Sequence, residues 1–591
     1  MCGFAGELTV EREPDLAALA VMSEALAPRG PDGAGVWSSS RCGLAHRRLG
    51  IIDLSQRGAQ PMVDPELGLV IVFNGCIYNY RELRRELQAA GYRFFSSSDT
   101  EVVLKAYDRW GDDFAEHLTG MFAFALHERD SGRLLLVRDR LGIKPLYLTE
   151  ISGALRFAST LPALLAAGVQ DTAIDAVALH HYLSWHAVVP APRTILAGVR
   201  KLAPACIMTV EPDGRRHERR YWEPCYTRNG RPPDMTADDW RDEVLEALRT
   251  AVGRRMVADV PVGVLLSGGL DSSLIVALLA EQGQSGLATF SIGFESVGGR
   301  DGDEFEYSDL VADRFGTDHT RFLVGGDDML AALPEAIAAM SEPMMSHDVV
   351  AFYLLAKEVS RTRKVVQSGQ GADEVFAGYS WYPPLAIADG TGAEIYAREF
   401  FDRTHDEMTE LLEPTHAASS DVSSGFVRAH FDRPGAATAL DRALRLDTEI
   451  MLVDDPVKRV DNMTMAWGLE ARTPFLDHEL VELAASCPPG LKLAHGGKGV
   501  LKAAARGVVP DEVIDRKKGY FPVPALKHLE GKALELISDA LTSRRARERR
   551  LFRQPYLDEL LARPNDHPTT LGGSKLWQLG VLEMWLQTHG I

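Results

Sequence analysis

Cys2 follows the initiator methionine, and removal of Met1 would leave its thiol beside a free α-amine. That amine can act as base for its own side chain, the N-terminal nucleophile arrangement. The thiolate is the attacking species, so a nearby base matters. Four stretches follow in order: RGPDGAG (29–35), HRRLGIIDLS (46–55), FNGCIYNY (73–80) and SSSDTE (96–101). Asn74 and Gly75 can offer a side-chain amide and a backbone N–H to an oxyanion. Arg48 can pair with a carboxylate and Asp99 with an ammonium. A nucleophile, oxyanion donors, one cation and one anion suit a free α-amino acid that carries a side-chain amide.

A second chemistry is written at SGGLDSS (267–273), between the apolar run VPVGVLL and an apolar helix. Small residues let backbone N–H groups approach phosphates, and a helix N-terminus favours anions. Ser267, Ser272 and Ser273 can donate hydroxyl hydrogen bonds, with Gly268 and Gly269 giving close approach. Asp271 fits among phosphates when Mg²⁺ lies between them. This is not the GxxxxGK[ST] loop; it resembles the pyrophosphate loop of enzymes that cleave ATP to AMP and pyrophosphate. A partner turn, SGQGADE (368–374), follows the short strand KVVQ. Ligands collect at such strand ends in open parallel sheets. Asp373 and Asp271 can share the Mg²⁺, Ser368 and Gly369 can line the nucleotide, and Leu265 and Ile292 can contact adenine.

The elements that must position these residues fall into two patterns. Residues 1–205 carry short strand signals (GLVIVFNG, MFAFALHE, GRLLLVRD, LRFAST) and two amphipathic helices, RELRRELQAAGY and DTEVVLKAYDRWG. Residues 212–236 are polar and hold Pro and Gly, as a linker would. Strand and helix then alternate, which predicts a parallel sheet covered on both faces. Helical patterns dominate from about residue 380. The expected division is 1–211, linker 212–236, and 237–591. The net charge of −19 argues against a nucleic-acid partner. Six cysteines without CxxC spacing predict neither a disulfide framework nor a zinc site. No apolar run approaches the roughly 20 residues that span a bilayer, and no secretory signal opens the chain. The expectation is a cytoplasmic enzyme with neither membrane nor nucleic-acid partner.

The N-terminal motifs resemble the class II glutamine amidotransferase domain. That resemblance implies a four-layer αββα N-terminal-nucleophile fold. Cys2 would attack the side-chain amide of glutamine and release ammonia, with Asn74 and Gly75 at the oxyanion. Arg48, Ile52, Asn74, Gly75, Cys76 and Asp99 would surround glutamine. The late stretch VIDRKKGYFPVP (513–524) supplies Lys518, which matches a family lysine that stabilises charge as a carboxyl oxygen attacks the α-phosphate. Together with MAWGLEARTPFLDHELVELA (465–484), the whole chain resembles the asparagine synthetase family. The implied C-terminal part is a doubly wound parallel-sheet ATP-pyrophosphatase domain with a helical end. The implied substrates are ATP with Mg²⁺, glutamine and a small carboxylate acceptor. An internal ammonia tunnel and a homodimer are further family expectations.

Three positions depart from the family pattern. Cys76 stands where FNGEIYNY has Glu, Gln370 where SGEGADE has Glu, and Asn462 where the family commonly carries a cation. Burying an unpaired charge is costly, so a neutral Gln370 suits an acceptor without a free ammonium. FNGCIYNY, SGQGADE, VDDPVKRVDNMTMAWGLEARTPFLD and RKKGYFPVPALKHL resemble one branch, the N-acetylglutaminylglutamine amidotransferases, which amidate a C-terminal carboxylate. Gln370 would then face the acceptor. Asparagine synthesis from aspartate is the alternative.

Overall fold

Alternating side chains in the first 220 residues build two six-stranded antiparallel sheets. The computed structural model describes residues 2–228, 230–232, 234–295, 303–516, 526 and 528–591. The first sheet runs in the order Val199–Lys201, Tyr147–Ile151, Ala154–Ala158, Gly3–Thr9, Cys42–Arg48 and Gly33–Ser38. The second runs Arg216–Arg220, Cys206–Val210, Leu134–Arg138, Gly120–Glu128, Leu69–Ile77 and Met62–Asp64. Period-two alternation divides each strand between two environments. In Gly3–Thr9, Phe4 and Leu8 join Val70, Val72, Ala123 and Leu136 in the layer between the sheets. Ala5 faces the other way, against Leu19, Met22 and Leu179 of covering helices. Helix Asp99–Trp110 covers the second sheet through Val102, Val103 and Ala106. The result is the expected four-layer αββα arrangement.

The second half is organised by a five-stranded parallel sheet, in the order Asp318–Val324, Ala288–Phe294, Val262–Leu265, Val365–Gln367 and Glu470–Arg472. Helices Ala237–Arg254 and Leu270–Glu281 pack on one face, and Gly326–Ala338, Asp348–Val359 and Lys575–Thr588 on the other. Adjacent central strands Val262–Leu265 and Val365–Gln367 therefore deliver the 267–273 and 368–374 turns side by side.

Two features differ from the sequence expectation. Within the stretch read as a linker, Arg216–Arg220 form the edge strand of the second sheet, pairing with Cys206–Val210. Polar side chains suit an exposed edge, where they discourage further pairing, so their composition conceals a strand. Within the helical C-terminal part, Glu470–Arg472 add a strand to the parallel sheet. Both charged residues are fully buried, which no alternation rule signals.

The two halves share cores and ion pairs. Leu49 and Ile51 pack on Val262 and Val365. Asp461 is bonded to Arg29 at 2.9 Å and Lys144 at 3.1 Å, all three buried. Among the described residues, no helix is long and apolar enough to cross a membrane.

Candidate active site

Strand Leu69–Ile77 carries Gly75 and Cys76 into the wall of a narrow cavity that Cys2 also lines, and Asn74, which does not line it, to the main chain of Cys2. The main-chain nitrogen of Cys2 donates to Asn74 Oδ1 at 3.0 Å. At the other end of that amide, Nδ2 is buried and has no hydrogen-bond partner among the described residues. A buried donor left unpaired is costly; an oxyanion formed beside Cys2 would accept from it. Gly75 is demanded by close approach of the neighbouring strand. A Cβ there would lie 2.2 Å from the Met121 carbonyl oxygen and 2.7 Å from Phe122 Cα.

Arg48 closes strand Cys42–Arg48 and lines the same cavity, as does Ile52. Its guanidinium donates to the carbonyls of Asp53 and Ser55, the latter at 2.9 Å. Asp99 opens helix Asp99–Trp110, and its Oδ2 accepts the Ile77 N–H at 3.0 Å. Burial pushes the Asp99 carboxyl up to about 6, and the negative charge of Glu470 adds to the rise. Burial likewise pushes up the thiols of Cys2 and Cys76. The sequence thus identified one wall of the cavity, while Glu470 enters from the parallel sheet.

The second cavity is larger, about 850 Å³, and lies at the ends of the parallel strands. Ser267, Gly269, Asp271 and Ser272 line it from one turn, and Ser368, Gly369, Gln370 and Asp373 from the other. Leu265 and Ile292 line it from the strands. Gly268 and Ser273 do not line it. Gly268 turns the chain at φ +72°, where a Cβ would meet Ser308 N at 2.6 Å. Ser273 is fully buried and its backbone N–H bonds Gly269 O at 3.0 Å. The two turns touch: a Cβ on Gly369 would lie 2.9 Å from Asp271 Cβ.

Lys498 spans the paired carboxylates, its Nζ 2.7 Å from Asp271 Oδ2 and 2.9 Å from Asp373 Oδ1. Burial would lower its pKa, but the two carboxylates overcome this and raise it. One cation shared by two carboxylates is the donor arrangement that suits Mg²⁺. Lys498 was not singled out in the sequence; its only local sign is a lysine set between glycines in GGKG (496–499), held at φ +55°. Glu374 accepts a 2.6 Å hydrogen bond from Tyr379 Oη, and burial followed by the charge of Asp373 pushes it up to about 7. Lys518 lies outside the described residues.

Two family models match the chain. A glutamine amidotransferase domain matches residues 1–222, and asparagine synthase matches residues 243–587. Asparagine synthetase (glutamine-hydrolyzing) 1 of Bacillus subtilis is 31% identical, over 99% of this chain and 96% of that protein. A putative asparagine synthetase (glutamine-hydrolyzing) of Mycobacterium tuberculosis is 32% identical, over 99% of this chain and 97% of its own length. The chain belongs to the asparagine synthetase family. Amidase chry2 of Gibberella zeae, 28% identical over 88% of this chain and 86% of that protein, is a further relative. As a member of this family, the chain is a glutamine-hydrolysing carbon–nitrogen ligase. Family enzymes use ATP, to which the 267–273 and 368–374 turns are suited.

Proposed function

We propose that this ligase amidates the C-terminal carboxylate of N-acetylglutaminylglutamine. In the proposed sequence, Cys2 attacks the glutamine side-chain carbonyl, with Asn74 Nδ2 and the Gly75 N–H receiving the oxyanion. Ammonia leaves, and water hydrolyses the thioester to glutamate and the free thiol. At the second cavity the acceptor carboxylate oxygen attacks the α-phosphorus of ATP, and the bond to pyrophosphate breaks. Ammonia then attacks the acyl carbon, AMP departs and a proton is lost. Asp271 and Asp373 would hold Mg²⁺, whose chemistry is to neutralise charge on the pyrophosphate. Lys498 and Lys518 are the proposed cationic partners of the phosphates.

Gln370 carries the acceptor reading, because it puts a neutral amide at the centre of the turn that lines this cavity. Apolar and aromatic neighbours support it: Met345, Phe352, Tyr379, Trp381, Phe400 and Met451 form walls suited to an uncharged acyl-peptide. Aspartate is the second reading. It is favoured by Asp348, Asp455 and Arg459 in the same cavity, the latter two paired at 3.0 Å, which offer charge to an amino acid. Competition decides between them. Enzyme, ATP, Mg²⁺ and glutamine are supplied with equal aspartate and dipeptide, and products are weighed by mass spectrometry. Amidated dipeptide without asparagine is expected; asparagine without amidated dipeptide would overturn the proposal.

A further inference from the structure

Between strands Cys42–Arg48 and Met62–Asp64 the chain forms a loop that supplies much of the wall at Cys2. Leu49, Ile51, Ile52, Gly58 and Gln60 all line that cavity from it. The loop turns at Asp53, which is buried and stands at φ +51°. A side chain in that left-handed region persists only where its surroundings hold it there. Asp53 Oδ1 accepts from the N–H and the hydroxyl of Ser55 at 3.1 and 2.6 Å. Asp53 Oδ2 accepts the Ser97 N–H at 2.8 Å, two residues ahead of Asp99. The carbonyls of Asp53 and Ser55 accept from the two ends of the Arg48 guanidinium. The knot at Asp53 therefore sets the direction of Arg48, a cation of the cavity wall.

The loop is anchored on the other half of the chain. Asp259 N–H donates to Ile51 O at 2.8 Å, and Asp259 Oδ2 accepts the Asp53 N–H at 2.8 Å. One residue thus grips the loop on both sides of Ile52, once by its main chain and once by its side chain. Asp259 stands just ahead of strand Val262–Leu265, which runs into the 267–273 turn. Leu49 and Ile51 pack on Val262 of that strand and on Val365 of its neighbour. The loop is therefore seated on the two strands that deliver the nucleotide turns. Asp259 itself is exposed. Its carboxylate can be removed without opening a cavity in either core, so the change is of the kind that leaves overall stability nearly unaltered.

We infer that Asp259 is a positioning residue for glutamine capture: from the parallel-sheet half it holds the 49–60 loop, and through Asp53 the Arg48 guanidinium, in the arrangement that receives the α-carboxylate of glutamine. It touches no reacting atom. Its part is to hold loop and arginine in place before glutamine arrives, which spares the cost of ordering them on binding. Releasing the loop loosens Arg48 while Cys2 and Asn74 keep their own contact. The loss then falls on ground-state binding, and so on KM, with kcat preserved.

The inference rests on glutamine hydrolysis by this chain and not on the acceptor, so full-length enzyme is assayed on glutamine without ATP or acceptor. Asp259→Ala removes the bond to the Asp53 N–H and keeps the main-chain bond to Ile51. KM for glutamine should rise about tenfold with kcat unchanged, the scale for losing one hydrogen bond to a charged group. Asp259→Asn keeps an acceptor oxygen at that N–H and should restore most of the affinity. The urea midpoint should be the same for wild type and both variants. Added to Arg48→Ala, Asp259→Ala should lower kcat/KM no further, because two residues that act through one interaction are not additive. An unchanged KM in Asp259→Ala, or a fall in kcat with KM unchanged, would overturn the inference. So would an Asn variant no better than the Ala variant, or a full further loss in the Arg48→Ala background. A urea midpoint lowered along with the affinity would likewise overturn it, by making Asp259 a support of the fold.

Discussion

The cavity at Cys2 is walled by extended strands, whereas the cavity at Ser267 opens where parallel strands end and turns begin. The first is narrow, and its charges are fixed within buried backbone. Asp99 accepts from Ile77 N–H, Glu470 is clamped by Arg472, and Gly75 leaves no room for a side chain. The second is wide, and its two acidic turns meet across one buried lysine, Lys498. A pocket built from strands can be matched to one small amino acid. A pocket built from turns has room for a nucleotide and an acceptor together.

The sharpest way to break this comparison is to remove one chemistry and look for the other. Cys2→Ala should abolish glutamine-supported amidation, by about 10⁴-fold or more, as loss of a nucleophile does. With ammonium chloride supplied directly, pyrophosphate release and amidation should continue; loss of both would join the two sites into one. The reciprocal change is Lys498→Ala. Pyrophosphate release should fall about 10²–10³-fold, the scale for removing one electrostatic stabiliser, while glutamine hydrolysis is retained. A normal rate of pyrophosphate release would remove Lys498 from the phosphate chemistry.

A smaller effect tests the seam between the halves. Asp461→Asn leaves Arg29 and Lys144 buried without their shared anion. Removing one partner of such a group costs about 3–5 kcal/mol, which urea unfolding would read as a lowered midpoint. An unchanged midpoint would make the seam an apolar contact only. The smallest effect is on pH. Asp99 is raised to about 6, so its carboxylate takes up a proton as pH falls through that value. Its attraction for the glutamine ammonium then fades, and kcat/KM for glutamine should drop about tenfold per unit below pH 6. Glu470, near 2, stays charged through that range. Asp99→Asn should flatten the profile; an unaltered profile would place the titration elsewhere.

Much of both sites was legible because their residues sit in contiguous motifs. SGGLDSS and SGQGADE each combine a strand, a turn and an acid, so their juxtaposition followed from parallel pairing of the preceding strands. FNGC and SSSDTE were likewise read with their strand and helix. What escaped reading depends on distant segments meeting. Glu470 and Arg472 are charged residues in a three-residue strand, and nothing local marks them as buried. Lys498 looks like a surface lysine until helix packing carries it onto Asp271 and Asp373. Glu374 was visible as an acid, but burial and the charge of Asp373 raise its pKa while Tyr379 donates to it, none of which spacing records. Gly268 and Ser273 were legible as members of the loop but not as its supports, because a motif does not say which side of a turn faces the ligand.

The account stands or falls on an acyl-adenylate fed by ammonia from glutamine, and one isotope experiment addresses both halves. N-acetylglutaminylglutamine labelled with ¹⁸O in its C-terminal carboxylate is incubated with ATP, Mg²⁺ and glutamine labelled with ¹⁵N in its side-chain amide. The products are then weighed. The account predicts one ¹⁸O in AMP and ¹⁵N in the new amide. Amidated product with ¹⁸O in inorganic phosphate and none in AMP would contradict it.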